Sequence, residues 1–238
     1  MRWADVQLPL FDPSQLGNTT FVVNGPTYVV KGIELQIVAR VTEGLTVQGS
    51  SSWNSTNQTN APCLESDVVS PGNPTPIGTC ITQVKGKPFS NPYGVLDTSP
   101  AFSPPVEFNV RARYDWTFKD YKPFVWMGAT HIGSQRNVPE SFPSGYKSVA
   151  DGGCLANGVP NTALCGYRMP YYTTADGAIG ISKDRWTVQG MGSNLFNSHA
   201  STNTTSGQFI ESQVPLRPRV LTLLFSMKFG GEKPAGGL

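Results

Sequence analysis

The chain has 238 residues, only 14% of them charged, with 25 glycines, 20 prolines and a formal net charge of +2. That composition is unusual for a soluble helical or α/β protein. The small charge favours neither nucleic-acid binding nor attraction to an anionic surface. No run of 18 or more apolar residues is present, so no transmembrane helix is available. Residues 1–10, MRWADVQLPL, lack the basic start, apolar core and small-residue cleavage site of a signal peptide. An exported chain of this kind is expected to depend on something upstream.

The elements read as strands from their period of two. Trp3–Pro9 is a weak first candidate. Val29–Val41 sets Ile33, Leu35, Ile37 and Ala39 against Glu34, Gln36 and Arg40, and Leu45–Asn54 sets Leu45, Val47 and Trp53 against Thr46, Gln48, Ser50 and Ser52. Val106–Trp116 has the clearest alternation. Val106, Phe108, Val110, Ala112, Tyr114 and Trp116 line one face, and Glu107, Asn109, Arg111, Arg113 and Asp115 the other. A helix would scatter both sets around its circumference, whereas a strand separates them. Pro123–Gln135, Tyr171–Ser182 and Trp186–Phe196 are weaker strands, and in the first of these the apolar face is left open. The last strand sets Leu221, Leu223, Phe225, Met227 and Phe229 against Thr222, Ser226 and Lys228.

The connections alternate in length. Thr42–Gly44, Phe118–Tyr121 and Lys183–Arg185 are tight turns, whereas Phe11–Pro26, Gln58–Ser103, Arg136–Pro170 and Asn197–Pro218 are long. An up-and-down sheet places every second connection on the same side, and outer-membrane barrels have short periplasmic turns and long extracellular loops. Aromatic residues cluster at strand ends. Trp3, Trp116, Phe118, Tyr121, Phe124, Trp186 and Phe229 are expected near the short turns, and Phe11, Tyr28, Trp53, Phe102, Tyr171, Tyr172 and Phe196 near the long loops. Two interfacial belts would produce that distribution. Inside a sandwich core, Glu107, Arg111, Arg113 and Asp115 would each cost several kcal/mol unless paired. Facing a wet lumen they cost little.

Cys63 with Cys80 and Cys154 with Cys165 form two local pairs in Gly/Pro/Asn-rich loops, without metal or redox spacing. Two loop disulfides in an oxidising compartment are expected, each closing roughly 15 residues for about 3 kcal/mol. Free thiols are the alternative.

Three phrases carry a family resemblance. Val29–Thr56, VVKGIELQIVARVTEGLTVQGSSSWNST, resembles a recurring hairpin of TonB-dependent outer-membrane receptors. Lys183–Phe196, KDRWTVQGMGSNLF, resembles their penultimate strand, and Pro218–Phe229, PRVLTLLFSMKF, their closing strand. The order and spacing of these phrases fit nearly the whole chain. The resemblance implies the C-terminal part of a 22-stranded, plugged barrel that takes up a scarce ligand such as a siderophore, cobalamin or oligosaccharide. It also implies that the terminal aromatic, Phe229, is read by the barrel-insertion machinery. Gly230–Leu238 extends past that aromatic and is expected to be a flexible tail after a barrel segment spanning residues 1–229. The family's plug, its TonB-contacting segment and most of its strands find no match here, so a fragment of a longer frame is expected.

Enzymatic signatures are not found. Neither His131 nor His199 sits in a metal spacing, and there is no nucleophile elbow or phosphate loop. His131 reads as a satisfied structural residue. The strand glycines, including Gly49, Gly128, Gly180, Gly190 and Gly192, read as relieving crowding or allowing curvature.

The expectation is therefore an all-β protein without cofactor or enzymatic activity: an antiparallel up-and-down transmembrane β-barrel segment of about eight strands, open and curved when alone. It is placed in the Gram-negative outer membrane. Glu34, Gln36, Arg40, Glu107, Arg111, Arg113, Asp115, Thr174 and Asp176 are expected to line the lumen. Its partners would be outer-membrane lipid, the insertion machinery, the parent receptor's other strands and plug, and an unspecified small ligand, with no nucleic acid. A small eight-stranded barrel of structural or adhesive role and a soluble carbohydrate-binding β-sandwich are the competing readings.

Overall fold

A computed structural model describes the chain apart from residues 5–6, 12–19, 68–74, 82, 85–86, 89–92, 95, 138–154, 157–158, 161–166, 208–209 and 230–238. One eight-stranded antiparallel sheet organises it. Its strands are β1 (Arg2–Trp3), β2 (Tyr28–Arg40), β3 (Leu45–Gln58), β4 (Val106–Asp115), β5 (Lys122–Ile132), β6 (Tyr172–Lys183), β7 (Trp186–Ser193) and β8 (Val220–Met227). Each pairs with its neighbour in sequence, so the sheet is a plain meander. It is open, with β1 and β8 at its two ends. Among the described residues there is no helix long and apolar enough to cross a membrane.

The short turns are set by local chemistry. Between β2 and β3, the Val41 N–H donates to the Leu45 carbonyl at 2.9 Å and the Leu45 N–H donates to Thr42 Oγ1 at 3.1 Å. Phe118 and Tyr121 exchange backbone bonds of 3.0 Å across the turn between β4 and β5, where Lys119 takes a positive φ of 54°. Lys183 pairs directly with Trp186, and Asp184 turns the chain with φ 47°. Two of these turns touch. Lys183 Nζ lies 3.7 Å from Asp120 Oδ2 and over the Tyr121 ring, which packs edge-on against Trp186.

The long connections leave from the other side and carry their own two-stranded ladders. Gln7–Phe11 pairs with Thr20–Asn24, Gln83–Val84 with Lys87–Pro88, Gln135–Arg136 with Arg168–Met169, Leu155–Ala156 with Val159–Pro160, and Ser201–Gly207 with Ile210–Pro215. The Cys63–Cys80 disulfide closes one long connection, where Glu65 also bridges Cys80. Cys154 and Cys165 lie outside the described residues, as does the tail from Gly230.

Two expectations need correction. The strand read over Trp3–Pro9 divides, because the chain leaves the sheet after Trp3 and Gln7–Phe11 pairs in a loop hairpin instead. Trp3 consequently pairs with Tyr28, beside Gln58 at the long-loop end, not at the short-turn end. A packed sandwich is not what forms either. Among the described residues every ladder besides the main sheet is two-stranded, and burial is sparse: Tyr28, Thr56 and Gln58 lie where loops fold back on strand ends, and Phe124, Ala175 and Ala178 lie within the strands.

Candidate functional site

Directly opposed residues in an antiparallel ladder share a face, so the register sorts the side chains into rows. From β2 to β6, one face reads Glu34, Ser52, Glu107, Ile132 and Tyr172 nearest the long loops. The next row is Gln36, Ser50, Asn109, Thr130 and Thr174, followed by Val38, Gln48, Arg111, Gly128 and Asp176. Arg40, Thr46, Arg113, Trp126 and Ala178 come below, with Asp115, Phe124 and Gly180 towards the short turns. All nine residues expected to line one surface fall on this face. The other face carries Ile33, Leu35, Ile37, Trp53, Val110, Met127, Ile179, Leu221, Leu223 and Phe225, all exposed.

The polar face is wired both within and across strands. Arg113 donates to Asp115 through Nε at 2.8 Å and Nη2 at 2.7 Å, and its guanidinium lies 4.3 Å from the centre of the Phe124 ring. Arg111 lies 4.0 Å from the centre of the Trp126 ring. Gly128 lies beside it, where a Cβ would sit 3.2 Å from the Val110 carbonyl and in ordinary contact, 3.7 Å, with Arg111 Cβ. Asn109 Nδ2 donates to Thr130 Oγ1 at 2.7 Å, and Arg40 Nη2 to the Glu43 carbonyl at 2.8 Å. These groups are exposed, so the Arg113–Asp115 pair contributes at most about 1 kcal/mol.

Asp176 has a structural task as well as a place on this face. Its Oδ1 accepts the Asn194 N–H at 2.9 Å. Asn194, 5% exposed and with φ 47°, ties down the last long connection. Its Nδ2 donates to the Ser198 and Arg217 carbonyls at 3.0 and 2.9 Å, and its Oδ1 accepts the Ser198 N–H at 2.8 Å. An asparagine tolerates a left-handed backbone better than most residues, and here its amide completes the corner.

The face of β5 left open by the sequence is now assigned. Val125, Met127, Ala129 and His131 share the apolar face, while Phe124 and Trp126 join the polar face as platforms for arginines. His131 stacks on Phe108 with ring centres 4.9 Å apart and shares a 2.8 Å hydrogen bond with Thr173 Oγ1. The glycines divide. A side chain at Gly180 would collide with Phe124, whereas one at Gly190 would meet nothing within 4 Å. Among the described residues no cluster of three His, Cys, Asp or Glu side chains could hold a metal ion.

A one-layer meander with one charged and one apolar face, and with its long connections all on one side, has the architecture of a β-barrel wall. Solved structures share it. The ferric yersiniabactin uptake receptor FyuA from Yersinia pestis is 13% identical with a TM-score of 0.61, matching 96% of this chain and 26% of its own. The siderophore receptor PiuA from Acinetobacter baumannii is 13% identical with a TM-score of 0.57, over 96% of this chain and 25% of its own. The ferric-catecholate import receptor Fiu from E. coli K12 is 16% identical with a TM-score of 0.54, over 96% of this chain and 24% of its own. These are outer-membrane receptors of the TonB-dependent siderophore class and not enzymes. This chain has the fold of a barrel segment of such receptors and spans about a quarter of their length. No protein-family model and no curated protein matches it.

Proposed function

We propose that this chain forms part of the wall of a TonB-dependent outer-membrane receptor that takes up a scarce ligand of siderophore type. Its polar face lines the lumen, where Glu34, Gln36, Arg40, Glu107, Arg111, Arg113, Asp115, Thr174 and Asp176 meet water, the plug or the passing ligand. Its apolar face meets lipid. The remaining strands and the plug come from the parent receptor, and Phe229 is the aromatic offered to the insertion machinery. The observation that carries this reading is the separation of faces. Large apolar side chains stay exposed along the whole width of one face, an arrangement that water disfavours and hydrocarbon accepts.

Tryptophan quenching tests it. Trp53 lies on the apolar face, 66% exposed, and Trp126 on the polar face. In the parent receptor reconstituted into lipids brominated high on the acyl chain, a version retaining only Trp53 is quenched and one retaining only Trp126 is not. Equal quenching of both, or the reverse order, would refute the assignment of faces.

A further inference from the structure

We infer that Arg111 anchors a carboxylate in a cavity of the polar face, which deepens the lumen reading above and rests on it. The cavity holds about 400 Å³ and is walled by Arg111, Trp126, Thr130, Asp176 and Thr222, with Gly128 in its floor. That volume lies in the range of small-molecule sites.

The two arginines of β4 differ in what they have left to give. Arg113 spends two donors on both oxygens of Asp115. Arg111 has no carboxylate within 4.0 Å among the described residues, although it carries the same charge. Its contact with Trp126, with Cζ 4.0 Å from the ring centre, is with a π face and occupies no hydrogen-bond acceptor. The N–H donors lie in the guanidinium plane, so they stay free for a forked pair with two oxygens. Asp176, the acid sharing the cavity, already accepts the Asn194 N–H through Oδ1. A carboxylate therefore docks on the side of Arg111 away from Asp176. Hydrogen-bonding groups for its neighbours are present at Asn109 and Thr130. The carboxylate belongs either to a small molecule or to an Asp or Glu of the protein segment that fills the barrel.

The test uses the full-length receptor, retaining only Trp126 and purified from outer membranes, with succinate as probe and neutral succinamide as control. If the carboxylate comes from a small molecule, succinate changes the Trp126 fluorescence saturably and succinamide does not. Arg111→Gln then weakens succinate about tenfold or more, the loss of one charge-assisted pair. If the carboxylate is the protein's own, succinate is silent. Arg111→Gln then lowers the urea midpoint of unfolding, and Arg111→Lys, which keeps the charge but not the planar stack, recovers most of it. Two results overturn the inference: a silent succinate titration with an unchanged midpoint, or a silent titration in which Lys falls as far as Gln, because then only stacking on Trp126 was at stake. Trp53 quenching by brominated lipid is read in parallel, in the same receptor retaining only Trp53. Its loss points to a failure of the face assignment, and its retention isolates the failure to Arg111.

Discussion

Leu223→Arg and Thr222→Arg place the same cation on adjacent residues of β8 and should have very different consequences. Leu223 opposes Gly190 on the apolar face and is 79% exposed, whereas Thr222 opposes Met191 on the polar face. Both lie near the middle of an eight-residue strand, which the proposed orientation places near mid-bilayer. An arginine facing lipid at that depth costs about 2–4 kcal/mol, which is roughly 30- to 700-fold in the folding equilibrium. An arginine facing a wet lumen costs within about 0.5 kcal/mol. It would also stand across the cavity from Arg111, which opposes a cationic ligand without opposing assembly. The assay is assembly of the parent receptor into outer membranes, scored by heat-modifiable mobility, followed by urea unfolding in liposomes. Leu223→Arg and Val110→Arg should lose assembled protein, and Thr222→Arg should match the wild type. Because one residue of slip exchanges both faces, failure of Thr222→Arg beside tolerance of Leu223→Arg would mean that the faces are reversed. Equal tolerance at all three positions would mean that neither face meets lipid.

Other expectations follow from single contacts. Gly180→Val drives a side chain into the buried Phe124 ring and should destabilise by about 1–3 kcal/mol, whereas Gly190→Ala should leave the urea midpoint in place. Asn194→Ala removes three side-chain hydrogen bonds at a left-handed corner. Amide exchange in Ser198–Arg219 should accelerate by about 5- to 140-fold, from about 1–3 kcal/mol for the group left unsatisfied, and unchanged exchange would remove its role in holding that connection. Replacing Cys63 and Cys80 by serine should expose residues 63–80 to protease, at a local cost up to about 3 kcal/mol, while the sheet keeps its unfolding midpoint. Non-reducing mass mapping should link Cys154 to Cys165. Free thiols there would confine the oxidised-loop reading to one connection.

The parts of this fold legible in the sequence are those where one strand alone carries the signal. In Val106–Asp115 the alternation of charge and hydrocarbon assigns both faces without reference to a neighbour. In Lys122–Ile132 both faces contain large apolar residues. The decision there comes from β4, because Phe124 and Trp126 serve as platforms for Arg113 and Arg111, and that pairing exists only once the register is known. Trp3 was beyond reach for a related reason. Its aromatic character fits either end of a strand, and its position depends on the chain leaving the sheet one residue later. The hairpin of Ser201–Gly207 and Ile210–Pro215 gives little alternation to read, because its first strand is built almost wholly from Ser, Thr and Asn. At Asp176 the face was legible and the bond to Asn194 was not, since it joins β6 to a corner beyond β7.

The open edges of the sheet carry an arithmetic of their own. Val30 exchanges 2.8 and 2.9 Å backbone bonds with Met1, so its main-chain groups point away from β3. Main-chain direction alternates along a strand, and Gly32, Glu34, Gln36, Val38 and Arg40 therefore present free N–H and C=O groups beyond the reach of β1. At the far end the Lys228 N–H donates to the Arg185 carbonyl at 2.8 Å. Even-numbered residues of β8 are thus turned to β7, and Leu221, Leu223, Phe225 and Met227 present their backbone outward. The free groups of β2 belong to the polar face and those of β8 to the apolar face. Opposed residues must share a face, so β8 cannot zip directly onto β2 without turning one of them inside out. In hydrocarbon those groups cannot stay unpaired. In the proposed barrel, whichever chain supplies them, the antiparallel strands that run from β8 round to β2, the line of β1 included, are odd in number, and the completed ring is even.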